Sequence, residues 1–185
     1  MIYRLSDEYY VRALCEEDIE GPYRTWFEDQ DVCRYNSHGK YARTDAWFRR
    51  FVQSIDAAEM VVWAICHEKD GHIGNVSLQA LSMINRSAEF AILLGDRRHW
   101  NRGVGLLASR QLVEHGFRKL NLNRIYCGTA STNQGMQKLA ESLDMQKEGL
   151  RRSHLYLEGK WVDVVEYGLL NTEFSLASGD MTIDE

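Results

Sequence analysis

A basic stretch that contains two glycines, Arg97 to Gly105, is the part of the sequence whose residue types point most directly to chemistry. An apolar run, Phe90 to Leu94, leads into it and predicts a buried strand, and the apolar spacing of Leu106 to Phe117 predicts a helix after it. The first N–H groups of a helix lack intrahelical partners and carry partial positive charge, and glycine lets the backbone approach a phosphate closely. The sequence therefore predicts that this loop holds the pyrophosphate of a nucleotide-containing cofactor.

The same glycines fit, in form, the dinucleotide fingerprint G-x-G-x-x-G/A, over Gly103 to Ala108. That fingerprint requires a strand that runs straight into the glycines and an acidic residue about 20 positions later, at the end of the next strand. Here a polar connection separates Leu94 from Gly103, and the next predicted strand, Arg124 to Ala130, ends without a carboxylate. A dinucleotide-binding oxidoreductase is therefore the less favoured alternative.

Four segments of the second half follow one another in an order and spacing that is typical of one enzyme family. They are Ala88-Glu89-Phe90-Ala91-Ile92, the loop from Trp100 to Gly105, Asn133 with the helix after it, and Met145 to Arg151. Together they resemble the GNAT N-acyltransferases and, within them, the RimJ/RimL-like branch, which the residues from Asp163 to Glu173 also resemble. The resemblance covers the chain from about Val11 to Phe174.

The resemblance implies that the cofactor is coenzyme A, supplied as acetyl-CoA. The residues implied to hold it are Arg98, Arg102, Gly103, Val104 and Gly105 around the phosphates, Ile92, Leu93 and Leu94 through the backbone of a distorted strand, and Asn133 at the next helix. Trp100 departs from the family pattern, which usually has glutamine or arginine there. Two alternatives stay open, since Arg97 and Arg98 also fit a solvated pair and Asn133 also fits an ordinary helix cap.

Glu89 is the candidate catalytic base, because it is a carboxylate inside an apolar strand, between Ala88 and Phe90. Partial burial would raise its pKa toward the useful range, and the carboxylate could take the amine proton directly or through water. Its structural alternative is a carboxylate that faces water or pairs with Arg86. The expected mechanism is direct transfer of the acetyl group in a ternary complex.

The family often provides a tyrosine as the acid that protonates the leaving thiolate. The matching position is Ala140, so the resemblance supplies no acid there. Tyr126, Tyr156 and Tyr167 remain unassigned alternatives. The thiol of coenzyme A is a good leaving group, so the chemistry does not require an acid.

The polar stretch from Asp29 to Arg43 occupies the position of the family's variable acceptor-recognition segment. Loops of this kind often carry binding residues, and we predict that Tyr35, Asn36 and His38 bind the acceptor substrate, with a solvated connection as the alternative. The acceptor stays open between a protein N-terminus, a small amine and a nucleotide-linked amino sugar. The last would need a second phosphate patch, for which the candidates are Arg34, Lys40, Arg43, Arg49 and Arg50.

Composition excludes several classes of protein. A length of 185 residues suits one domain with a substantial core, and a net charge of −5 argues against a general nucleic-acid partner. No apolar run approaches membrane-spanning length, and the N-terminus lacks the features of a signal peptide. The scattered Cys15, Cys33, Cys66 and Cys127 predict reduced thiols in a cytoplasmic protein without a metal site. A homodimer is left open.

The pattern of strands and helices in the sequence predicts one α/β (α+β) domain over residues 1–174, which would position these residues. A loose acidic tail is expected over 175–185. We expect a mixed, mostly antiparallel sheet of about six to seven strands with about four helices. The predicted strands are Tyr9–Leu14, Met60–Cys66, Ile73–Leu81, Ser87–Leu94, Arg124–Ala130, Gln146–Leu157 and Trp161–Leu170. The predicted helices are Glu16–Phe27, Thr44–Ala57, Leu106–Phe117 and Thr132–Leu143.

The function predicted from these observations is an acetyl-CoA-dependent N-acetyltransferase that acts on a primary amine. Two alternatives from other classes remain, the dinucleotide-binding oxidoreductase and a non-catalytic module that binds coenzyme A. Glu89 is the feature that separates the enzyme from the binding module.

Overall fold

One mixed sheet organises the protein, which the computed structural model describes over residues 1–55 and 58–177. Its strands are β1 (Ile2–Arg4), β2 (Tyr9–Ala13), β3 (Val61–His67), β4 (Gly71–Ser82), β5 (Ser87–Leu94), β6 (Arg124–Ala130), β7 (Gln146–Leu157) and β8 (Lys160–Leu170). Within the described ranges these eight strands lie in the order β1-β2-β3-β4-β5-β6-β8-β7. The predicted fold class is confirmed, with one strand more than expected because β1 is short, mostly exposed and without a clear apolar pattern.

Strands β5 and β6, which are neighbours inside the sheet, run parallel but separate soon after they meet. The pairing joins Ser87–Glu89 of β5 to Arg124–Tyr126 of β6 and stops there. By contrast, β5 stays paired with β4 as far as Leu94. The other neighbouring strands are antiparallel. The expected mixed, mostly antiparallel sheet is confirmed. Beyond Glu89, the side of β5 that faces β6 has no strand partner in the described structure.

Four α-helices accompany the sheet in the described residues: α1 (Asp45–Gln53), α2 (Val104–Arg118), α3 (Gln134–Ser142) and α4 (Asn171–Ala177). Single 3₁₀ turns cover Glu16–Glu20, Pro22–Phe27, Ser37–Lys40 and Arg97–His99. None of the helices in this part of the chain combines the length and the apolar composition that a membrane crossing requires.

The predicted helix from Glu16 to Phe27 is wrong, because two separate 3₁₀ turns replace it. Gly21 lies between them in an extended conformation, with φ −87° and ψ −158°. Proline disfavours a helical residue before it and lacks the N–H that would continue a helix, so Gly21-Pro22 ends the first turn and starts the second. The apolar spacing did identify core residues, since Ile19, Tyr23 and Trp26 are buried.

Two predicted ends also differ. Thr44, the first residue of the predicted helix, caps α1 by accepting a hydrogen bond from the N–H of Trp47. The helix ends at Gln53, and Ala57 lies outside the described residues. The predicted tail begins within α4, and residues 178–185 lie outside the described part.

The sheet buries a different core on each face. Ala88 and Phe90 of β5 pack with α2 and α3 on one face, in a cluster that includes Leu112. The opposite face packs against α1 and the first two 3₁₀ turns, and Leu93 contacts that second cluster. Because side chains alternate along a strand, Glu89, Ala91 and Leu93 share this second face.

A buried carboxylate fixes the first 3₁₀ turn on the second face. Asp18 is 5% exposed and accepts hydrogen bonds from both terminal nitrogens of Arg12, at 2.6 and 2.7 Å, and from the Cys15 N–H at 3.0 Å. Nδ1 of His72 lies 3.3 Å from the same carboxylate. Burial alone would raise the pKa of Asp18, but Arg12 and the Cys15 N–H outweigh it and lower the pKa. This turn starts the segment that leads to residues 34–40.

Candidate active site

Glu89 lies on the last residue pair before β5 and β6 separate, opposite Tyr126. Its side chain is half-buried, and its carboxylate has no hydrogen-bond or ion-pair partner within residues 1–55 and 58–177. Arg86, the partner considered from sequence, instead donates to the carbonyl and side-chain oxygens of Asn121, at 2.7 and 2.9 Å. The predicted base is therefore held at the opening with its oxygens free.

A pocket of about 350 Å³ opens at Glu89 on the second face of the sheet. Its wall comes from three sources: the connection before α1, the opening between β5 and β6, and strand β7. The polar side chains that line it are Tyr35, Ser37, Lys40, Glu89, Arg151 and His154. The pocket gathers residues from positions 35 to 164 of the chain around one carboxylate that has no partner among the described residues.

The connection that covers the pocket is bonded to the β7–β8 hairpin and to the residues that follow β6. Arg34 forms an ion pair with Glu158 at 3.0 Å, the Tyr35 hydroxyl donates to the Thr132 carbonyl at 3.0 Å, and Lys40 Nζ donates to the Tyr156 carbonyl at 2.6 Å. We call residues 34–40 the covering segment. Because it is fastened at both ends, it forms one wall of the pocket.

The three predicted substrate residues have different positions in this segment. Tyr35 lines the pocket. Asn36 caps the 3₁₀ turn by accepting a hydrogen bond from the His38 N–H at 2.8 Å. His38 packs beside Phe27 and Trp47, and burial together with the nearby Arg43 lowers the pKa of His38. Tyr35 is thus the member of the predicted set that the structure brings to the pocket.

Polar residues of β4 lie beside Glu89 on the same face. Gln79 is the register partner of Glu89, and Ser77 is the partner of Ala91. The Gln79 amide donates to the Ser77 hydroxyl at 2.9 Å. This polar row was not predicted from the sequence, although its alternation with Val76 and Leu78 was a usable signal.

Arg151 and His154 also escaped the sequence analysis. They lie where the β7–β8 register shifts between Arg151 and Leu155. A bulge of this kind depends on pairing between strands, and the sequence of β7 alone gave no signal for it.

The predicted phosphate loop has the geometry of an anion site. Gly103 precedes α2 with φ +78°, and a Cβ built there would meet nothing within 4 Å. The Leu106 N–H donates to the Gly103 carbonyl at 3.1 Å, so the N–H groups of Val104 and Gly105 precede the first such hydrogen bond of the helix. A 15-residue helix with open space at its N-terminus can therefore receive a phosphate.

The arginines of this loop are not equivalent. Arg98 is bound by Asp96 at 2.6 Å and by Asp70 at 3.1 Å, and the hydrogen bond with Asp96 raises the pKa of Arg98. Arg97 pairs with Asp31 at 2.7 Å. Arg102 is exposed and forms no ion pair with the described residues. Among the arginines predicted to bind phosphate, Arg102 can do so without displacing a carboxylate. Arg98 would have to leave Asp96 or share it with the phosphate.

The strand residues predicted to offer backbone groups lie along the opening. Ile92, Leu93 and Leu94 pair with β4 in regular register, and the irregularity of this pair lies instead between Gln79 and Ser82. The feature of β5 near the cofactor position is thus its separation from β6 rather than a bulge. Asn133 caps α3 by accepting from the Met136 N–H at 3.2 Å, which leaves its amide nitrogen available.

His67, Asp70 and His99 form the group of described residues whose ligand atoms lie within 4.8 Å of one another, close enough for a metal ion. A carboxylate oxygen of Asp70 lies 2.7 Å from Nδ1 of His67 and 3.2 Å from Nε2 of His99. Tyr9 hydrogen-bonds the other ring nitrogen of His99 at 2.9 Å. Direct contacts between the rings and the carboxylate account for this geometry, and they join the β3–β4 turn to the phosphate loop.

The cysteines do not form an alternative reactive centre. All four are free thiols, and three of them are buried. Burial raises the pKa of Cys127 to about 12 and that of Cys15 to about 11, which disfavours the thiolate that a nucleophile requires.

Sequence comparison identifies the family to which this arrangement belongs. Residues 9–146 match the family described as "Acetyltransferase (GNAT) domain", which is most of the chain. The chain belongs to the GNAT acetyltransferases. Family membership confirms the predicted reaction class, acetyl transfer to an amine with acetyl-CoA as the co-substrate, and does not favour the oxidoreductase.

Individual GNAT proteins extend the comparison. The uncharacterized N-acetyltransferase p20 of Bacillus licheniformis is 37% identical over 111 residues, a stretch that covers 60% of this chain and 62% of the relative. The spermidine N(1)-acetyltransferase of Vibrio cholerae is 28% identical over 156 residues, or 84% of this chain and 79% of the relative. A structure of RimL, the ribosomal L7/L12 alpha-N-protein acetyltransferase, in complex with coenzyme A has a TM-score of 0.83 at 19% identity, over 92% of this chain and 98% of that one. The RimJ/RimL-like assignment is consistent with these findings.

Proposed function

We propose that this GNAT protein transfers the acetyl group of acetyl-CoA directly to a primary amine held in the Glu89 pocket. The observation that carries the proposal is the position of Glu89, a carboxylate that has no partner among the described residues, at the point where β5 and β6 separate. The pocket on one side of this opening suits an amine, and the phosphate loop beyond the end of β5 suits the cofactor.

The cofactor would be held by backbone groups and one cation. The N–H groups of Val104 and Gly105 and the guanidinium of Arg102 offer donors to the pyrophosphate. Beyond Glu89, the backbone groups of β5 on the side away from β4 face the opening, where a hydrogen-bonding arm can take the place of a strand. The amide of Asn133, at the start of α3, adds a further donor.

Acetyl-CoA supplies a thioester whose carbonyl carbon accepts the amine and whose thiolate leaves. Glu89 receives the proton that the amine gives up as the new C–N bond forms. Its unpaired oxygens let it do so directly or through one water. The high pKa of the buried thiols disfavours transfer through an acetyl-cysteine, which supports a ternary complex over a two-step route.

The acceptor amine stays within the three classes expected from sequence. The second phosphate patch considered for an amino-sugar nucleotide is not assembled: Arg34 pairs with Glu158, Arg49 pairs with Glu20, and Arg43 lies over the Trp47 ring. Lys40 alone of that set lines the pocket. A peptide or a small amine therefore has the stronger support. The domain limits at 174, the cytoplasmic location, the homodimer and the lack of a nucleic-acid partner stay predictions.

The test is a calorimetric titration of the protein with acetyl-CoA and, in the same buffer, with NAD, followed by an assay of CoA release with primary amines. We expect saturable binding of acetyl-CoA, no binding of NAD, and CoA release that depends on the amine. Binding of acetyl-CoA without CoA release with any amine would favour the binding module. Binding of NAD alone would contradict the proposal.

A further inference from the structure

The pocket around Glu89 presents positive charge and hydrogen-bond donors next to the proposed base. Lys40 lines it from the covering segment, and Arg151 and His154 line it from β7. Glu89 is the carboxylate among the lining residues of this pocket. An acceptor that enters therefore meets a base for its amine and cations for its remainder.

Lys40 carries a charge that no carboxylate of the described residues offsets. Its ammonium donates to the Tyr156 carbonyl at 2.6 Å, which fixes the position of Nζ. An ammonium has three donors, so two remain for a ligand. The charge is therefore both held in place and available.

A bulge directs the β7 residues into the pocket. Arg151 pairs in register with Val164, and Leu155 pairs with Val162, so extra residues lie between them on β7. Ser153 within the bulge has φ +47°, and its N–H donates to Asp163 at 2.7 Å. Bulges of this kind re-aim side chains beside active sites.

The bulge also sets the hydrogen-bonding roles of Arg151 and His154. Nε of Arg151 donates to Glu166 at 2.8 Å, so its charge is already offset. Nη1 of Arg151 lies 3.0 Å from Nε2 of His154. Because a guanidinium only donates, Nε2 accepts, and the proton of the neutral ring is on Nδ1 as a further donor. These two side chains add donors, while Lys40 adds net charge.

We propose that the acceptor carries an oxyanion, a carboxylate or a phosphate, near its reactive amine, and that Lys40, Arg151 and His154 bind this group while Glu89 receives the amine proton. The inference rests on the proposed function of the same pocket. It separates this protein from an enzyme for polyamines, because the second ammonium of a polyamine would lie against Lys40.

A set of amines with equal chain length tests the inference. The probes are 5-aminopentanoate, 5-aminopentyl phosphate, pentylamine and 1,5-diaminopentane, each assayed for CoA release at fixed acetyl-CoA. We expect KM for at least one anionic probe to be about tenfold lower than for pentylamine, and KM for the diamine to be the highest. Whichever of 5-aminopentanoate and 5-aminopentyl phosphate has the lower KM shows whether the site prefers a carboxylate or a phosphate.

Variants at one position assign the effect. In Lys40→Met the advantage of the anionic probes falls to less than about threefold, whereas Lys40→Arg keeps most of it. Lys147→Met is the matched control, since Lys147 is an exposed residue of the same strand as Arg151 and does not line the pocket. We expect the control to match the wild type.

Calorimetric binding of the same probes to the protein without cofactor gives a readout that does not depend on turnover. Tighter binding of an anionic probe than of pentylamine, lost in Lys40→Met, supports the oxyanion site even without CoA release. Equal affinities, or tightest binding of the diamine, overturn it, while CoA release with any of the amines still upholds the proposed acetyl transfer.

Discussion

The indole Nε1 of Trp100 donates a hydrogen bond to the carbonyl oxygen of Leu94 at 2.8 Å. This bond joins the end of β5 to the loop that precedes α2. Trp100 occupies the loop position where the GNAT pattern usually has glutamine or arginine. A neutral indole that hydrogen-bonds the strand therefore replaces a polar side chain at this position. The guanidinium of Arg97 lies over the same ring, 5.5 Å from its centroid.

We expect Trp100→Phe to weaken acetyl-CoA binding by about threefold to tenfold, because the phenyl ring keeps most of the packing but loses one hydrogen bond that aligns strand and loop. Calorimetry measures the change. Trp161→Phe is the control, since Trp161 is 65% exposed and lies on the β7–β8 hairpin. Equal affinities for the two variants would show that the bond does not position the loop.

Glu89→Gln should lower kcat by about 10²-fold or more while leaving acetyl-CoA affinity nearly unchanged, because an amide cannot accept the amine proton. The pH–rate profile should also lose the limb that reports the base. Glu114→Gln provides a control, because Glu114 pairs with Arg118 on the α2 surface, at 3.2 Å. An unchanged pH–rate profile in Glu89→Gln would remove Glu89 from the mechanism.

The two loop glycines should respond differently to alanine. Gly103→Ala places a Cβ in the left-handed region and should lower the free energy of unfolding by about 1–2 kcal/mol. At Gly105 the added Cβ would lie 3.6 Å from Ile92 Cδ1, an ordinary contact, so Gly105→Ala should be neutral or slightly stabilising. Thermal and urea unfolding without ligand measure both. A similar loss in the two variants would contradict the positive φ as the cause.

Acid should destabilise the protein partly through Asp18. Its pKa is lowered in the fold, so its contribution to stability is complete above the unfolded pKa of about 4 and is lost as pH falls through that range. Asp18→Asn should cost about 2–3 kcal/mol at pH 7, because Arg12 loses its charged partner. The difference from wild type should shrink by pH 3. A difference that stays constant from pH 7 to pH 3 would show that the charge of Asp18 contributes nothing.

The parts of the site that depend on local sequence could be predicted. The apolar run of β5, the glycines of the loop and the helix after them follow from patterns within a few residues, and the structure has them at nearly the predicted bounds. The strand pairing around Asp70-Gly71 follows from the same kind of signal. Breaking of the first helix at Gly21-Pro22 was also visible in the sequence, but the apolar spacing across it suggested continuity.

The parts of the site that depend on residues far apart in the chain could not be predicted. Lys40 and Arg151 meet in one pocket because the covering segment is fastened to the β7–β8 hairpin and because β7 carries a bulge. Neither the fastening nor the register shift has a local pattern. The pairing of Arg98 with Asp70 likewise requires the β3–β4 turn to lie beside the loop.

The separation of β5 from β6 leaves peptide groups, rather than side chains, along the opening. Ile92 and Leu94 can therefore point into the core, where Ile92 lies against α2, while their backbone serves the cofactor in the proposed complex. A change such as Ile92→Val alters the packing without altering any chemical group offered to the ligand. In this strand, ligand recognition and core composition are thus free to change independently during divergence.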